Sequence, residues 1–392
     1  MRPKTDGWHY SLGATLLLFT PFDLLASLGM DMYLPVVPLM PVALSTTHSV
    51  VQMTLTLYLV LIGGGQLLFG PLSDRFGRRP ILLIGGVIYG VSALGLALTS
   101  SIEVFLGVRL LQACGASACL VALFATVRDV YATRAESQII YGLLGSMLAM
   151  VPAVGPLLGA LIDVYFGWRA IFFSLGASMV LACLAAFFLW PETCSKSSTG
   201  FRFAHLVGPL RSKRFWLYSL CYSAGMGSFF VFFSVAPGLM MERQGLDQVQ
   251  FSVLFASVAV SMMVSSRFLV GRLRYWERRK TLQLGMVCLM GGAILLAFGE
   301  IYMPQSPVGF IVPMWGIGIG ISICMSVAPN GALAGFDHIA GSVTALYFCL
   351  GGVLLGGVGT VMLILLPLQT AWPVVGYCAL MSIAVWVLST RR

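Results

Sequence analysis

Long apolar stretches, separated by short breaks rich in charge, proline or glycine, dominate this chain of 392 residues. A helix that crosses a bilayer needs about 20 apolar residues. The stretches are continuous, as at 81–98, and lack the alternation of membrane strands. The pattern predicts twelve membrane-spanning helices, at 12–38, 51–71, 81–99, 104–126, 138–164, 170–190, 215–237, 249–270, 281–302, 308–328, 340–366 and 371–389.

Composition agrees with an all-α membrane protein. Apolar residues make up 58% of the chain and charged residues only 9%, whereas soluble domains carry about 25% charged residues. So few charges could not cover the surface of soluble domains. The sequence also has no ATP-binding P-loop and no cysteine–histidine cluster with metal-ligand spacing. We therefore expect no cofactor, no metal site and no enzymatic activity.

Lysine and arginine orient the predicted helices. If both termini are cytoplasmic, all of the 23 basic residues except Arg109, Arg169 and Arg243 lie on the cytoplasmic side. Such an excess is typical of cytoplasmic segments, and we expect both termini there. The net charge of +9 then faces anionic lipid and indicates no nucleic-acid partner.

The longest polar break divides the helices into two sets of six. Its serine-rich composition is typical of a flexible linker. We therefore predict an N-terminal half at 1–191, a cytoplasmic linker at 192–214 and a C-terminal half at 215–392.

Weak internal echoes relate the two halves. The segment DMYLPVVPLM at 31–40 matches VFFSVAPGLM at 231–240, and GPLSDRFGRRP at 70–80 matches GRLRYWERRK at 271–280. Both echoes fall at equivalent helices. Two six-helix halves predict a transporter that arose by duplication, with a central cavity near the bilayer midplane.

Asp23, Asp31 and Arg109 lie inside the apolar stretches, where each charge costs about 2.5–3.5 kcal/mol. The aspartates are about 80° apart around a helix, so both can face one cavity. Either one could pair with Arg109, and Gln112 could relay hydrogen bonds. A buried ion pair that only joins the first and fourth helices is one interpretation, but it leaves one carboxylate unpaired. Because desolvated carboxylates exchange protons when their surroundings change, we favour a proton-coupling site.

The break at 70–80 combines glycine, proline, an acid and several bases. We expect Gly70 and Gly77 to permit a tight turn, and Asp74 to pair with Arg128 at the end of the fourth helix and hold an inner gate shut. A solvated charged loop is the alternative, but this combination is more specific than a charge run. The predicted gate residues are Gly70, Asp74, Arg75, Gly77, Arg78 and Arg128.

The fifth helix contains VPAVGPLLGA at 151–160. Gly155 and Gly159 form a face of small residues that lets another helix approach closely, and Pro156 bends the helix. Ordinary close packing explains this stretch equally well, since glycine and proline are common in membrane helices.

Together these motifs resemble those of the twelve-span drug/proton antiporters of the major facilitator superfamily. GPLSDRFGRRP is similar to the signature between helices two and three, RLLQACGASA to the helix-four motif, VPAVGPLLGA to the helix-five antiporter motif, and DMYLPVVP to the helix-one motif. Val151 and Ala160 replace glycines usual in the helix-five motif. Nearly end to end, through segments such as CGASACLVALFATVRDVYA and GFDHIAGSVTALYFC, the chain resembles the phenicol exporters within that group.

The resemblance implies a major facilitator fold and export of chloramphenicol-like antibiotics, small neutral molecules, from a bacterial cytoplasm in exchange for protons. It assigns coupling and substrate recognition to Asp23, Asp31 and Arg109, and gating to Asp74. The second-half echo has no aspartate at the position of Asp74, so inner gating would rely on the first copy. We expect a monomer in the bacterial inner membrane.

A phenicol carries an aromatic ring with hydroxyl and amide groups, so its pocket should be apolar with a few polar anchors. Helices seven and eleven supply the aromatic and thioether candidates Tyr222, Met226, Phe230 and Phe348. Packing or contact with lipid is the competing interpretation for each of them.

Three rival functions stay open at this point. An importer or a broader multidrug antiporter would keep the same fold, and export of cationic dyes would reveal the latter. A membrane enzyme would need a nucleophile–base set or a metal cluster inside the helices, and none is visible in the sequence. A receptor has little use for two repeated halves and a gate.

Overall fold

The computed structural model describes residues 8–131, 136–194, 204–273, 276–336 and 340–390. Every regular element within these ranges is helical. The first six long helices are α1 (Leu12–Asp31), α2 (His48–Phe76), α3 (Arg78–Leu98), α4 (Ile102–Tyr131), α5 (Glu136–Phe166) and α6 (Trp168–Leu189). The next six are α7 (Lys213–Pro237), α8 (Gln248–Ser265), α9 (Arg278–Tyr302), α10 (Pro307–Leu333), α11 (Ala340–Leu365) and α12 (Trp372–Thr390).

Shorter helical segments join or extend these helices. A 3₁₀ segment, Leu34–Leu39, and a single α-turn, Met40–Ala43, follow α1. A short helix, Ala204–Arg211, precedes α7. Wider π-helical turns extend α7 over Gly238–Arg243 and α8 over Ser266–Val270.

Among the described helices, eleven are long and apolar enough to cross a membrane, and α5 adds a shorter apolar stretch at Met150–Phe166. The predicted set of twelve helices is confirmed. The first candidate span runs over Leu12–Ala43 and so contains the predicted 12–38, but its α-helical part stops at Asp31. Pro35 has no N–H to continue the α-helical hydrogen bonds, and the chain tightens into the 3₁₀ segment there.

Several helices begin at a polar cap that the sequence supplies. Ser11, Thr47 and Ser212 accept hydrogen bonds from backbone N–H groups in the first turns of α1, α2 and α7. Asp247 and Gln250 form a reciprocal capping box at the start of α8. Each cap satisfies donors that a helix start would otherwise leave unpaired.

The chain forms two compact units, Met1–Phe201 and Arg202–Arg392. Within the first unit α3 packs against α4 and α6, while α1 packs against α5 and α2 against α4. Each of these pairs recurs six helices later in the second unit, as α9 with α10 and α12, α7 with α11, and α8 with α10. The same pairing rule in both units is what a duplicated chain would produce.

Some residues on which the sequence predictions rest lie outside the described ranges. They include residues 195–203 of the predicted linker. They also include eight of the basic residues that orient the chain, namely Arg2, Lys4, Arg134, Lys196, Arg202, Arg274, Arg391 and Arg392.

Candidate functional site

The end of α1 leaves a backbone carbonyl free in the middle of the first unit. Met32 N–H donates to Leu28 O at 3.0 Å, but Tyr33 N–H donates to Met30 O at 3.2 Å instead of to Gly29 O. The last α-helical hydrogen bond of α1 is therefore the one that Leu28 O accepts, and Gly29 O has to find another donor. A carbonyl at a helix end needs another partner, and it carries the negative end of the helix dipole.

Arg109 of α4 supplies that partner. Its Nη2 donates to Gly29 O at 2.9 Å, and its Nη1 donates to Gln112 Oε1 at 2.6 Å. The side chain is completely buried. The guanidinium thus sits on the C-terminal end of α1, where a helix dipole favours a cation.

Aromatic rings surround the rest of the guanidinium. Its carbon lies 4.2 Å from the ring centre of Tyr58, 4.9 Å from that of Tyr33 and 5.6 Å from that of Phe172. Ring faces attract cations, by about 2 kcal/mol or more where water is excluded. The sequence pattern singles out Arg109 and Gln112 but none of these rings. A tyrosine hydroxyl in an apolar stretch, which needs a partner, would have been the signal.

Asp23 and Asp31 both lie on α1, and neither forms an ion pair with Arg109 within the described ranges. Asp23 is completely buried, and neither of its carboxylate oxygens has a hydrogen-bond partner among the described residues. Asp31 is 7% exposed and forms the last residue of α1. The ion pair considered from the sequence is thus replaced by contacts between Arg109, the α1 backbone and aromatic rings.

The helix-five motif packs directly on the end of α1. A Cβ atom built on Gly155 would lie 2.6 Å from Asp31 Cβ, and one built on Gly159 would collide with the carbonyl oxygen of Met32. Pro156 is buried between these glycines. The small-residue face therefore lets α5 approach the backbone that carries Asp31, which was not predictable from the motif alone.

The predicted gating loop is mostly helical. Gly70, Asp74 and Arg75 belong to α2, which continues to Phe76, and only Gly77 separates α2 from α3. Gly77 has φ +105°, a conformation that favours glycine. The role of Gly70 in a tight turn is therefore wrong, because one glycine suffices to reverse the chain.

Arg78 is the centre of the ionic contacts at this turn. Its side chain is 5% exposed, and it contacts Asp74 Oδ1 at 2.6 Å and Asp129 Oδ2 at 2.8 Å. Arg128, the predicted partner of Asp74, is 3.9 Å away from that carboxylate. Arg78 thus joins the end of α2 to the end of α4. Asp129, one residue after Arg128, was missed by the sequence analysis.

Glu192, which follows α6, caps the start of α3. Its carboxylate accepts hydrogen bonds from Arg78 N at 2.9 Å and Arg79 N at 3.2 Å, and from Cys194 N at 2.8 Å. A carboxylate is favourable at a helix N-terminus. Glu192 is the first residue of the predicted linker. These hydrogen bonds therefore hold the start of the linker at the turn between α2 and α3.

The second unit holds the predicted pocket residues in an aromatic setting. The ring centres of Tyr222 and Phe348 are 5.7 Å apart, and each lies within 5.2 Å of the buried Tyr347 ring. Phe230 is buried, with a Cβ built on Gly359 only 2.9 Å from its ring, so Phe230 packs inside the unit. The role of Met226 stays a prediction.

Comparisons with known proteins cover the whole of this arrangement. The sequence profile of the Major Facilitator Superfamily matches residues 23–360. A "Chloramphenicol resistance protein" of Pseudomonas aeruginosa is 63% identical over 389 residues, which cover 99% of this chain and 93% of that protein. One of the same name from Escherichia coli is 40% identical over 138 residues, 35% of this chain and 45% of its own length. "Multidrug resistance protein MdtL" of Citrobacter koseri is 26% identical over 329 residues, 82% of each chain.

Proposed function

Because the chain belongs to the Major Facilitator Superfamily, we propose that it is a proton-coupled antiporter that exports chloramphenicol-like antibiotics by alternating access. The observation that carries this proposal is the 63% identity, over 99% of the chain, to a chloramphenicol resistance protein. The buried acids of α1 supply a chemical basis for proton coupling.

Asp23 and Asp31 are the proposed proton carriers. Asp23 is buried, and neither of its carboxylate oxygens has a hydrogen-bond partner among the described residues, so its ionised form would be an unpaired charge in apolar surroundings. Access to water from one side would let it release its proton, and closure would favour uptake. Arg109 has no carboxylate partner among the described residues, so no ion pair with Arg109 would oppose protonation of these acids.

The energy of one proton suffices for a neutral drug. A charge that moves down about 150 mV releases roughly 3.5 kcal/mol. At 1.4 kcal/mol for each tenfold ratio, that energy supports a drug gradient of more than a hundredfold. Tyr222, Met226, Phe230 and Phe348 are the proposed substrate contacts, with Tyr222 and Phe348 the better placed because Phe230 packs inside its unit.

The turn that holds Asp74, Arg78 and Asp129 is the proposed inner gate. Arg78 joins the ends of α2 and α4 through two carboxylates, and these contacts would have to break when the gate opens. We propose that the halves 1–191 and 215–392, joined by the linker 192–214, move against each other in this step.

The chain is a multi-pass membrane protein of a bacterial exporter family, and its basic residues support a proposal for its membrane and orientation. We propose a monomer in the inner membrane with both termini cytoplasmic, since all but three of the 23 basic residues then face the cytoplasm. Labelling of single cysteines placed at residues 46 and 304 from outside the cell tests the orientation. Labelling from the cytoplasm only would contradict it.

Broader multidrug export is the second candidate function. The similarity to a multidrug resistance protein over 82% of the chain favours it over import. A pump of that kind would also lower the accumulation of cationic dyes.

Drug accumulation in cells tests the proposal. Expression should lower the steady-state level of chloramphenicol, and a protonophore should restore it. Asp23→Asn, Asp31→Asn and Arg109→Ala should each restore accumulation without loss of membrane insertion, whereas the exposed Glu103→Gln should behave as the unmodified protein. Full efflux in all three variants would contradict the coupling assignment.

A further inference from the structure

The side chain and the backbone of Arg78 are held by different parts of the first unit. The side chain bridges Asp74 of α2 and Asp129 of α4. The backbone N–H donates to Glu192 Oε1 at 2.9 Å, and Glu192 belongs to the predicted linker. The central residue of the proposed inner gate therefore also contacts the chain that joins the two halves.

The Glu192 carboxylate collects donors from two segments. From the first turn of α3 it accepts Arg78 N and, at 3.2 Å, Arg79 N. From the linker it accepts Thr193 N at 3.0 Å and Cys194 N at 2.8 Å. A carboxylate has about four acceptor sites, and four backbone donors use them here. One side chain thus fixes both the start of α3 and the start of the linker.

Gly77 leaves the space in which this carboxylate lies. It has φ +105°, and a Cβ atom built on it would collide with Glu192 Oε2. The glycine that reverses the chain between α2 and α3 therefore also admits Glu192 to the start of α3. We call Gly77, Arg78, Arg79 and Glu192 the linker dock.

The end of α6 brings Glu192 to this place. Trp190 is 1% exposed, and its ring centre lies 4.8 Å from that of Phe19 on α1. Arg79 Nη2 donates to Phe187 O at 2.5 Å, which joins the start of α3 to the last turn of α6. Because the chain is anchored as far as Trp190, a displacement of the linker would first act on the gate at Glu192.

We propose that Glu192 is a positioning residue that couples the linker to the inner gate. With Glu192 in the linker dock, the first turn of α3 is capped and the Arg78 guanidinium is held between its two carboxylates. When the linker draws Glu192 away, the N–H groups of Arg78 and Arg79 lose their partner and the bridge loosens. Such coupling rests on the proposed function, in which the halves move against each other and the bridge at Arg78 opens.

Cys194 provides a natural reporter of the docked linker. Its N–H donates to Glu192 at 2.8 Å, and its thiol donates to Asp74 O at 3.5 Å. The other eight cysteines lie in the long apolar helices. A water-soluble maleimide should therefore label Cys194 ahead of them, and faster once the linker start leaves the dock. Mass spectrometry of the peptide that contains Cys194 measures the rate.

The test compares Glu192→Gln with the unmodified protein in lipid nanodiscs, where both faces are accessible. A drug that binds one gate state better shifts the populations, so chloramphenicol should change the rate of Cys194 labelling in the unmodified protein. Glutamine has one acceptor oxygen where glutamate has two, and its NH2 group cannot accept from a backbone N–H. Glu192→Gln should therefore label about tenfold faster, lose the response to chloramphenicol, and export more slowly in cells.

Glu136→Gln is the matched control, because it changes an exposed acid in the first turn of α5. It should keep both the labelling rate and the response to chloramphenicol. A Cys194 rate that does not respond to chloramphenicol in the unmodified protein would overturn the coupling, because the dock would then be static. A folded Glu192→Gln protein that keeps the response would overturn it too, even with a lower thermal midpoint, because the cap would then serve stability alone.

Glu192→Asp decides if Glu192→Gln does not fold. It keeps the charge but shortens the side chain by one methylene group, so it should label faster than the unmodified protein and respond less to chloramphenicol. Failure of both variants to fold would assign the dock to stability and also overturn the coupling. If the unmodified protein causes no protonophore-sensitive loss of chloramphenicol from cells, the proposed function itself fails, whatever the labelling of Cys194 shows.

Discussion

Arg109 is a cation inside a membrane-spanning helix, and its surroundings explain how the first unit holds it there. An arginine at the centre of such a helix costs about 2.5–3.5 kcal/mol. Each hydrogen bond from a charged group returns about 1.5–3 kcal/mol, and Arg109 makes two. The ring of Tyr58 adds about 2 kcal/mol. These contributions cover the cost without a carboxylate partner for Arg109 among the described residues.

Arg109→Lys tests whether the planar guanidinium matters beyond its charge. A lysine carries its three donors on a single nitrogen, so it cannot place separate nitrogens on Gly29 O and Gln112 Oε1 or lay a planar group against the Tyr58 ring. The loss of about 2 kcal/mol of these contacts corresponds to roughly a thirtyfold lower rate of chloramphenicol export. Export is measured as efflux from preloaded cells.

The matched control is Arg169→Lys, which changes an exposed arginine at the start of α6. It should leave export unchanged. If Arg109→Lys exported at the unmodified rate, charge alone would be sufficient and the role of the rings would be contradicted.

At the scale of helices, the contact between α1 and α5 depends on the absence of a side chain at Gly159. A methyl group there would run into the Met32 carbonyl, which is backbone and cannot turn away. Overpacking of this kind costs about 1–3 kcal/mol. Gly159→Ala should therefore lower the thermal midpoint of the purified protein and reduce export.

Gly107→Ala provides the comparison, because a Cβ at this exposed position on α4 meets nothing within 4 Å. Alanine is the better helix former by about 1 kcal/mol, so this variant should be as stable as the unmodified protein or more so. Equal thermal midpoints for both variants would show that α5 does not need close contact with α1.

The turn between α2 and α3 gives a second test at this scale. Arg78→Ala removes the bridge between Asp74 and Asp129, and the loss of these charged hydrogen bonds should cost about 2 kcal/mol. Arg75, three residues earlier, is also a predicted gate residue, but it is exposed and forms no ion pair among the described residues, so Arg75→Ala should have little effect. Thermal unfolding and export, measured together, check both. A loss of export in Arg75→Ala equal to that in Arg78→Ala would contradict the assignment of the bridge to Arg78.

The sequence was informative about helices and charges and weak about contacts between helices. Hydrophobic length alone predicted all twelve helices, and the cost of burial singled out Asp23, Asp31 and Arg109. The partner of Arg109 could not be predicted, because Gly29 O becomes an acceptor only where α1 ends. Glu192 was missed for the same reason: its partners are backbone groups of another helix, which leave no pattern in the sequence. Gly70 was misassigned because glycine also occurs inside membrane helices.

At the scale of the whole molecule, the two units share their helix pairings but differ in charge. The first unit contains Asp23, Asp31 and Arg109 in its helices and the bridge at Arg78. In the second unit, the positions that echo Asp31 and Asp74 carry Val231 and Tyr275, and Tyr222, Tyr347 and Phe348 form an aromatic cluster. This division suits the exchange of a neutral aromatic drug for a proton. The acids proposed to bind protons belong to the first unit, and the aromatic side chains proposed to contact the drug belong to the second.

The proposed export depends most on the coupling of chloramphenicol movement to protons through the acids of α1. The direct measurement is the uptake of chloramphenicol by proteoliposomes that contain the purified protein, with an imposed pH gradient and no other energy source. We predict uphill uptake that stops when a protonophore collapses the gradient, and only downhill equilibration with Asp23→Asn or Asp31→Asn. Uphill uptake without any pH or voltage difference, or uphill uptake by a variant with both acids replaced, would contradict proton coupling through α1.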